Sequence, residues 1–319
     1  MNLLVTGGAG FIGSYLSEVL IDSGHEVTVL DDLSTGSLLN IKELQKSKKF
    51  SFIEGSMLNQ KLVEDAVSKV DGIFHLGAAL GVKRILERPY DSLVTNMHGT
   101  EIVIKAASKR KIKTFLASTS EIYGKNLNQP LTEESDRVLG SPLLVRWTYS
   151  EGKAIDESLI QIFHQSHGLP FVIGRFFNTS GPRQTGAYGM VLPGFVSQAL
   201  AGKPLTVYGD GSQQRVFCHV ADAVDAVIRL FFNEKAEGQV FNIGGEEEVS
   251  IHQLAELVIA ETNSNSKIEY VEYKNAYAEG FEESMRRVPN TTKVREFTGW
   301  APKYSLKALI ADVAAHLKA

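Results

Sequence analysis

Tyr149 and Lys153 stand four residues apart in Tyr149-Ser150-Glu151-Gly152-Lys153. At that spacing two side chains share one face of a helix. A free tyrosine, with a pKa near 10, is a poor base at neutral pH. A neighbouring cation stabilises the phenolate, and the tyrosine can then take a proton from a hydroxyl. Upstream, Ser118-Thr119-Ser120-Glu121 follows the apolar run Thr114-Phe115-Leu116-Ala117. Hydroxyls and a carboxylate then sit at the carboxyl end of a strand, where ligands of open α/β sheets collect. Tyr149, Lys153, Thr119, Ser120 and Glu121 are the candidate catalytic residues.

The elements that would position them begin at the first residues. Leu3-Leu4-Val5 reads as a buried parallel strand, and it runs into Gly7-Gly8-Ala9-Gly10-Phe11-Ile12-Gly13. Ile12, Leu16, Val19 and Leu20 then recur at helical spacing, and Gly24 fits the left-handed position after the helix end. A second strand, Glu26-Val27-Thr28-Val29-Leu30, ends at Asp31. The glycines have separate duties: a tight turn at Gly7, close approach of a pyrophosphate at Gly10, helix-to-strand packing at Gly13. The helix N-terminus offers N–H groups to phosphates. An acid about 20 residues on can hold ribose hydroxyls, and Asp31 in that role favours NAD over NADP because it repels a 2′-phosphate. The cofactor-binding set is Gly7, Gly10, Phe11, Ile12, Gly13 and Asp31, with Leu76 and Ala78 from the small-residue loop after Gly72-Ile73-Phe74-His75, and with Tyr149 and Lys153. With NAD bound, the tyrosine can take its proton while a hydride leaves. Further strands are expected at Phe52-Ile53, Thr114–Ala117, Phe171–Asn178 and Val240–Gly244, and a helix around 195–200. The pattern is α/β, a Rossmann-type doubly wound parallel sheet with a smaller C-terminal substrate domain.

Composition agrees and excludes other classes. The chain has 319 residues, 33 Lys+Arg against 37 Asp+Glu, and a net charge of −4. That balance argues against nucleic acid as a partner. A hydrophobic fraction of 43% suits a globular chain, and no apolar run reaches the roughly 18 residues of a membrane span. Met1–Gly7 has neither a basic segment nor a long apolar stretch, so no signal peptide is expected. The single cysteine, Cys218, gives neither a disulfide framework nor a thiolate metal site. His75 lies in an apolar run and is expected to be a packed, hydrogen-bonded histidine, so no metal site is expected. A cytoplasmic protein is the expectation.

These motifs together resemble the extended short-chain dehydrogenase/reductases, in the nucleotide-sugar epimerase, dehydratase and decarboxylase group. The resemblance covers nearly the whole chain. It is carried by the glycine motif, Asp31, Thr95-Asn96, Ser118-Thr119-Ser120, Tyr149/Lys153 and Arg175-Phe176-Phe177-Asn178. It extends through Gly181-Pro182-Arg183, Val207-Tyr208-Gly209-Asp210-Gly211, Arg215, and the tail Arg286-Arg287-Val288-Pro289 with Lys293 and Gly299-Trp300-Ala301-Pro302. It implies that Asn96 joins the NAD site. It implies a substrate site of Asn178, Val191, Tyr208, Arg215 and Arg287, with Asn178 at the nucleotide diphosphate and Arg215 gripping a phosphate. Ser56 departs from the pattern, since many relatives carry an adenine-contacting aspartate there. The implied division is an NAD-binding Rossmann domain over 1–177, with returning segments about 214–245, and a nucleotide-sugar-binding domain over 178–213 and 246–319. Members usually dimerise through two helices, here about 97–109 and 149–167. The second carries Ile155, Leu159, Ile162 and Phe163, more apolar surface than one core face requires.

In such enzymes C4 of the sugar is oxidised first, and the fate of the 4-keto sugar sets the reaction. Thr119-Ser120-Glu121 resembles decarboxylases and some dehydratases, and Arg146-Trp147 and Arg287 resemble decarboxylases. The leading expectation is therefore a UDP-glucuronate decarboxylase-like reaction. A UDP-sugar 4-epimerase and an NDP-sugar 4,6-dehydratase are the alternatives, because the loop from Ala79 to Pro89 lacks the tyrosine that decarboxylases tend to carry. Lys83 or Arg84 in that loop could meet a carboxylate or simply be solvated. A non-catalytic NAD-binding regulator is the remote alternative, disfavoured by the intact Tyr149 and Lys153.

Overall fold

The computed structural model describes residues 1–79, 89–186, 190–273 and 282–318. Lys83 and Arg84 lie outside the described residues. Seven strands form the central sheet: β1 (Asn2–Thr6), β2 (Glu26–Asp31), β3 (Phe50–Glu54), β4 (Gly72–His75), β5 (Lys113–Thr119), β6 (Phe171–Phe176) and β7 (Gln239–Ile243). Their order is β7-β6-β5-β4-β1-β2-β3. Every neighbouring pair is parallel. The strand order reverses between β1 and β4, and a crevice opens there beyond the carboxyl ends. This is the doubly wound sheet expected from the sequence.

The helices that matter here are α1 (Phe11–Asp22), α2 (Gln60–Val67), α3 (Pro89–Ser108), α4 (Thr148–His167), α5 (Val191–Leu200), α6 (Val220–Phe231), α7 (Ile251–Thr262) and α8 (Leu306–Lys318). Alternation along β1 sends Leu3 and Val5 to one face of the sheet and Leu4 to the other. α1 and α6 cover the first face with Leu16, Leu20, Val224 and Val227. α2, α3 and α4 cover the second with Val63, Val103 and Ile160. A sheet covered on both faces needs apolar residues at successive positions, which is why its strands read as continuous runs. Each such side chain contributes roughly 1.5–3 kcal/mol when fully buried.

A third core lies beyond the sheet, where α5, α7 and α8 pack through Leu192, Phe195, Leu254, Leu309 and Ile310. Within the segment 214–245 it is β7 that joins the central sheet, beside β6. Gln214–Val216, which the sequence reading grouped with that returning segment, pairs instead with Glu248–Ser250 and Arg286–Arg287. Two long polar side chains in three residues suit a small ribbon better than a sheet buried on both faces. The tail motif Gly299–Pro302 is an anchor: Trp300 Nε1 donates to the Asp222 carbonyl at 2.9 Å, and the Asp222 carboxylate accepts from Lys303 N and Tyr304 N. Among the described residues no helix is long and apolar enough to cross a membrane. None of them form a group of three His, Cys, Asp or Glu placed to hold a metal.

Candidate active site

A cavity of about 760 Å³ follows the crevice, lined by Gly7, Gly10, Phe11, Ile12, Gly13, Asp31, Leu76 and Ala78 at one end and by Glu121, Tyr149, Lys153 and Arg287 at the other. Gly7 takes φ +71°, and a Cβ there would meet the Gly77 backbone at 2.8 Å. A Cβ at Gly13 would overlap the Gly7 carbonyl oxygen. At Gly10 the nearest atom is that same oxygen, at 3.1 Å, and the remaining space is open. Gly10 is also the N-cap of α1, with no capping side chain and no acid in the first turn. The start of α1 therefore keeps its partial positive charge toward the cavity. The buried Asp31 carboxylate accepts from Leu33 N at 2.8 Å and Ala9 N at 3.0 Å. Burial pushes its carboxyl above the usual range, partly offset by those N–H groups.

Asn96, which the resemblance puts at the NAD site, sits beside the cavity. It is buried, and its amide closes on both backbone atoms of Ala79, accepting from N at 2.7 Å and donating to O at 3.0 Å. It holds the chain leaving β4 and is not among the cavity-lining residues. His75 is a packed histidine, bonded to Thr6 Oγ1 at 2.7 Å and Thr100 Oγ1 at 3.0 Å. Burial, with the Lys153 charge, holds its pKa at about 3.

At the other end, β5 delivers Thr119, whose Oγ1 accepts from Glu121 N at 3.2 Å and starts a tight turn over Ser120–Tyr123. Ser120 is buried and lines the cavity. Ser118, also on the cavity wall, donates to Glu157, which grips Arg175 at 2.7 and 2.9 Å. α4 places Tyr149 and Lys153 on the cavity wall. The expected relation between them is altered by two acids. Lys153 Nζ lies 3.2 Å from Asp156 Oδ2. Burial pushes the Tyr149 phenol up, and the charges of Glu121 and Asp156 push it further.

The ribbon brings Arg287 and Arg215 together, and Glu121 joins Arg287 to Arg146 from the turn Val145–Trp147. Arg287 and Arg215 are register partners on adjacent strands. Arg287 donates to one Glu121 oxygen, and Arg146 Nη1 lies 2.7 Å from the other. Burial would raise the Glu121 carboxyl, but the two guanidiniums outweigh it and hold it well below the usual range. A carboxylate so held stays ionised, which argues against proton donation by Glu121. Arg215 pairs with Glu283 at 2.9 Å. Burial and the neighbouring Arg287 charge lower its pKa to about 10. Of the two tail arginines, Arg287 lines the cavity while Arg286 pairs with Glu248 at 2.6 Å on the exposed side.

Asn178, Val191 and Tyr208 also line the cavity. Asn178 Nδ2 is engaged with the Val216 carbonyl at 2.8 Å. Arg183, part of the motif Gly181-Pro182-Arg183, lines the cavity and pairs with Glu18 at 2.7 Å, whereas Asp156 and Glu283 were not expected at the site. Asp156 had a signal, an acid three residues past the lysine on the same helix. Glu283 had none, because its partner Arg215 is 68 residues away.

Comparison with known proteins agrees with this geometry. The family model described as GDP-mannose 4,6 dehydratase matches residues 4–313. A UDP-N-acetyl-alpha-D-glucosaminuronate decarboxylase of Bacillus cytotoxicus is 41% identical over 303 residues, 95% of this chain and 93% of that protein. UDP-glucuronic acid decarboxylase 3 of Arabidopsis thaliana is 36% identical over 308 residues, 96% of this chain and 86% of that protein. Among solved structures, UDP-glucuronic acid 4-epimerase from Bacillus cereus, in complex with UDP-glucuronic acid and NAD, superposes with a TM-score of 0.90 at 27% identity, covering 100% of this chain and 99% of that one. Glycine cradle, Tyr149/Lys153 pair and near-complete coverage agree: the chain belongs to the GDP-mannose 4,6-dehydratase family of nucleotide-sugar enzymes.

Proposed function

We propose that the protein is an NAD-dependent decarboxylase of a nucleotide-activated uronic sugar, UDP-glucuronate or its 2-acetamido counterpart. The observation that carries this is the Arg146–Glu121–Arg287 cluster, which bears one net positive charge at the Tyr149 end of the cavity. A guanidinium fork suits a substrate carboxylate. The residues also fit NAD: Gly10 leaves room for a pyrophosphate against α1, and Asp31 stands at the ribose end. NAD would supply a reversible acceptor for the C4 hydrogen and its electron pair. Tyr149 takes the C4 hydroxyl proton, Lys153 supplies the cation beside it, and Thr119 and Ser120 orient the sugar. Once C4 is a ketone, the C5 carboxylate is β to it, and CO₂ leaves as the bond electrons pass to the C4 oxygen. Arg287 holds the departing carboxylate, and Glu121 orients Arg287 and Arg146. Arg215, Asn178, Val191 and Tyr208 contact the nucleotide diphosphate and its surroundings. On this reading 1–177 with 217–245 serve the cofactor, and 178–216 with 246–319 serve the sugar nucleotide.

A second reading, 4-epimerisation, is favoured by the close superposition on a 4-epimerase. Incubation with UDP-glucuronate, UDP-N-acetylglucosaminuronate and UDP-glucose, with product masses measured, separates the two. Loss of CO₂ is expected. An unchanged-mass epimer as sole product refutes decarboxylation, and loss of water would point to a dehydratase. We also infer a homodimer through α3 and α4, on the exposed Tyr90, Ile155 and Ile162. A reducing, cytoplasmic setting is supported by the buried, unpaired Cys218.

A further inference from the structure

Asp156 lies three residues beyond Lys153 on α4 and is wholly buried. Lys153 is nearly as buried, at 2% exposure. Residues i, i+4 and i+7 return to one helix face. Tyr149, Lys153 and Asp156 therefore form a line of phenol, ammonium and carboxylate, with the last two paired at 3.2 Å. Desolvating a carboxylate is costly, and a buried cation left without a counter-charge costs more.

The other acids nearby are committed. Glu157, the next residue on α4, serves Arg175 on β6 and Ser118 on β5. Glu121, after β5, serves Arg146 and Arg287. α3 presents the Thr100 hydroxyl, and β4 presents a neutral His75 bonded to it. Among the described residues Asp156 is the carboxylate paired with Lys153.

We propose that Asp156 is a positioning residue for proton transfer: its carboxylate fixes the Lys153 ammonium and, from the same helix face, opposes ionisation of the Tyr149 phenol. This rests on Tyr149 being the base of the proposed reaction. Burial raises the Asp156 carboxyl, countered chiefly by Lys153. Seven residues of helix separate Asp156 from Tyr149 by about 10 Å. At an effective dielectric constant near 20, one charge at that distance moves a titration by roughly one pH unit, less with screening.

The test uses the full chain loaded with NAD and labelled with ¹³Cζ-tyrosine. The Tyr149 resonance is identified by its loss in Tyr149→Phe. In Asp156→Asn the Tyr149 titration midpoint should fall by about 0.5–1 pH unit, on the same arithmetic, and the acid limb of the kcat profile should move with it. Asp156→Glu should restore both toward the wild-type position. If the asparagine variant does not fold, Asp156→Ser must show the same shift. A folded neutral variant whose Tyr149 midpoint is unmoved overturns the proposal. In that case an inactive Tyr149→Phe leaves the base assignment standing, whereas a fully active Tyr149→Phe sinks both.

Discussion

Replacing Glu121 by Gln removes the carboxylate between two buried guanidiniums while keeping its shape. The side chains are 19% exposed for Glu121, 8% for Arg146 and 9% for Arg287, so water cannot fully replace the lost charge. Breaking a buried ion pair by removing one partner costs about 3–5 kcal/mol. The glutamine oxygen still accepts one hydrogen bond, which favours the lower end of that range. With unfolding entropy near 2 cal/mol/K per residue, a loss of about 3 kcal/mol lowers the midpoint of a chain this long by roughly 4–5 °C. Urea titration and thermal melts of both proteins measure it. The acid dependence has a defined sign. Glu121 is held below its ordinary value of 4.5, so below pH 4.5 the unfolded chain takes up a proton that the folded chain refuses. The stability contribution is full above pH 4.5 and declines as pH falls, so the gap between wild type and Glu121→Gln should narrow in acid. Adding Arg146→Met to Glu121→Gln should recover part of the loss, with a coupling of about 1 kcal/mol or more. A single-variant loss below about 1 kcal/mol, or strict additivity, refutes the view of a desolvated charge cluster.

Gly10→Ala and Gly13→Ala should separate binding from folding. The first places a methyl 3.1 Å from the Gly7 carbonyl oxygen and otherwise in the cavity, and should cost about 1 kcal/mol of stability or less, while NAD affinity measured by calorimetry falls at least tenfold. The second drives a Cβ into the Gly7 carbonyl and should destabilise the fold as well; equal behaviour of the pair would contradict the cradle geometry. His75, held at about 3 against an ordinary 6.5, binds a proton in the unfolded chain but not in the folded one between those values. Its contribution is therefore full above pH 6.5 and lost as pH falls toward 3, and His75→Gln should flatten the stability slope there by up to about 1.4 kcal/mol per pH unit. Ile155→Asp with Ile162→Asp should yield monomers in sedimentation; a wild-type protein that is monomeric at micromolar concentration would remove the dimer.

Much of the fold is legible along the chain because its signals are local. The glycine spacing, the apolar runs of β1, β2 and β4 and the i, i+4 Tyr149/Lys153 pair each depend on residues within one or two elements. Strand ends were less legible: β5 extends from Lys113 to Thr119, beyond the apolar run that marks it, because parallel pairing with β6 continues past the apolar residues. Nor did spacing reveal that the Asn96 amide closes on the backbone of Ala79, 17 residues away.

The sequence by itself determined the doubly wound sheet, the cofactor cradle and the tyrosine–lysine pair, since periodicity and turn chemistry act over short separations. Only the tertiary structure decided how the charges combine. Glu121 meets Arg287 across 166 residues, and Arg215 meets Arg287 through strand register. Whether a carboxylate is a proton donor or a fixed anion depends on which cations burial brings to it. That depends on packing, which residue spacing does not encode.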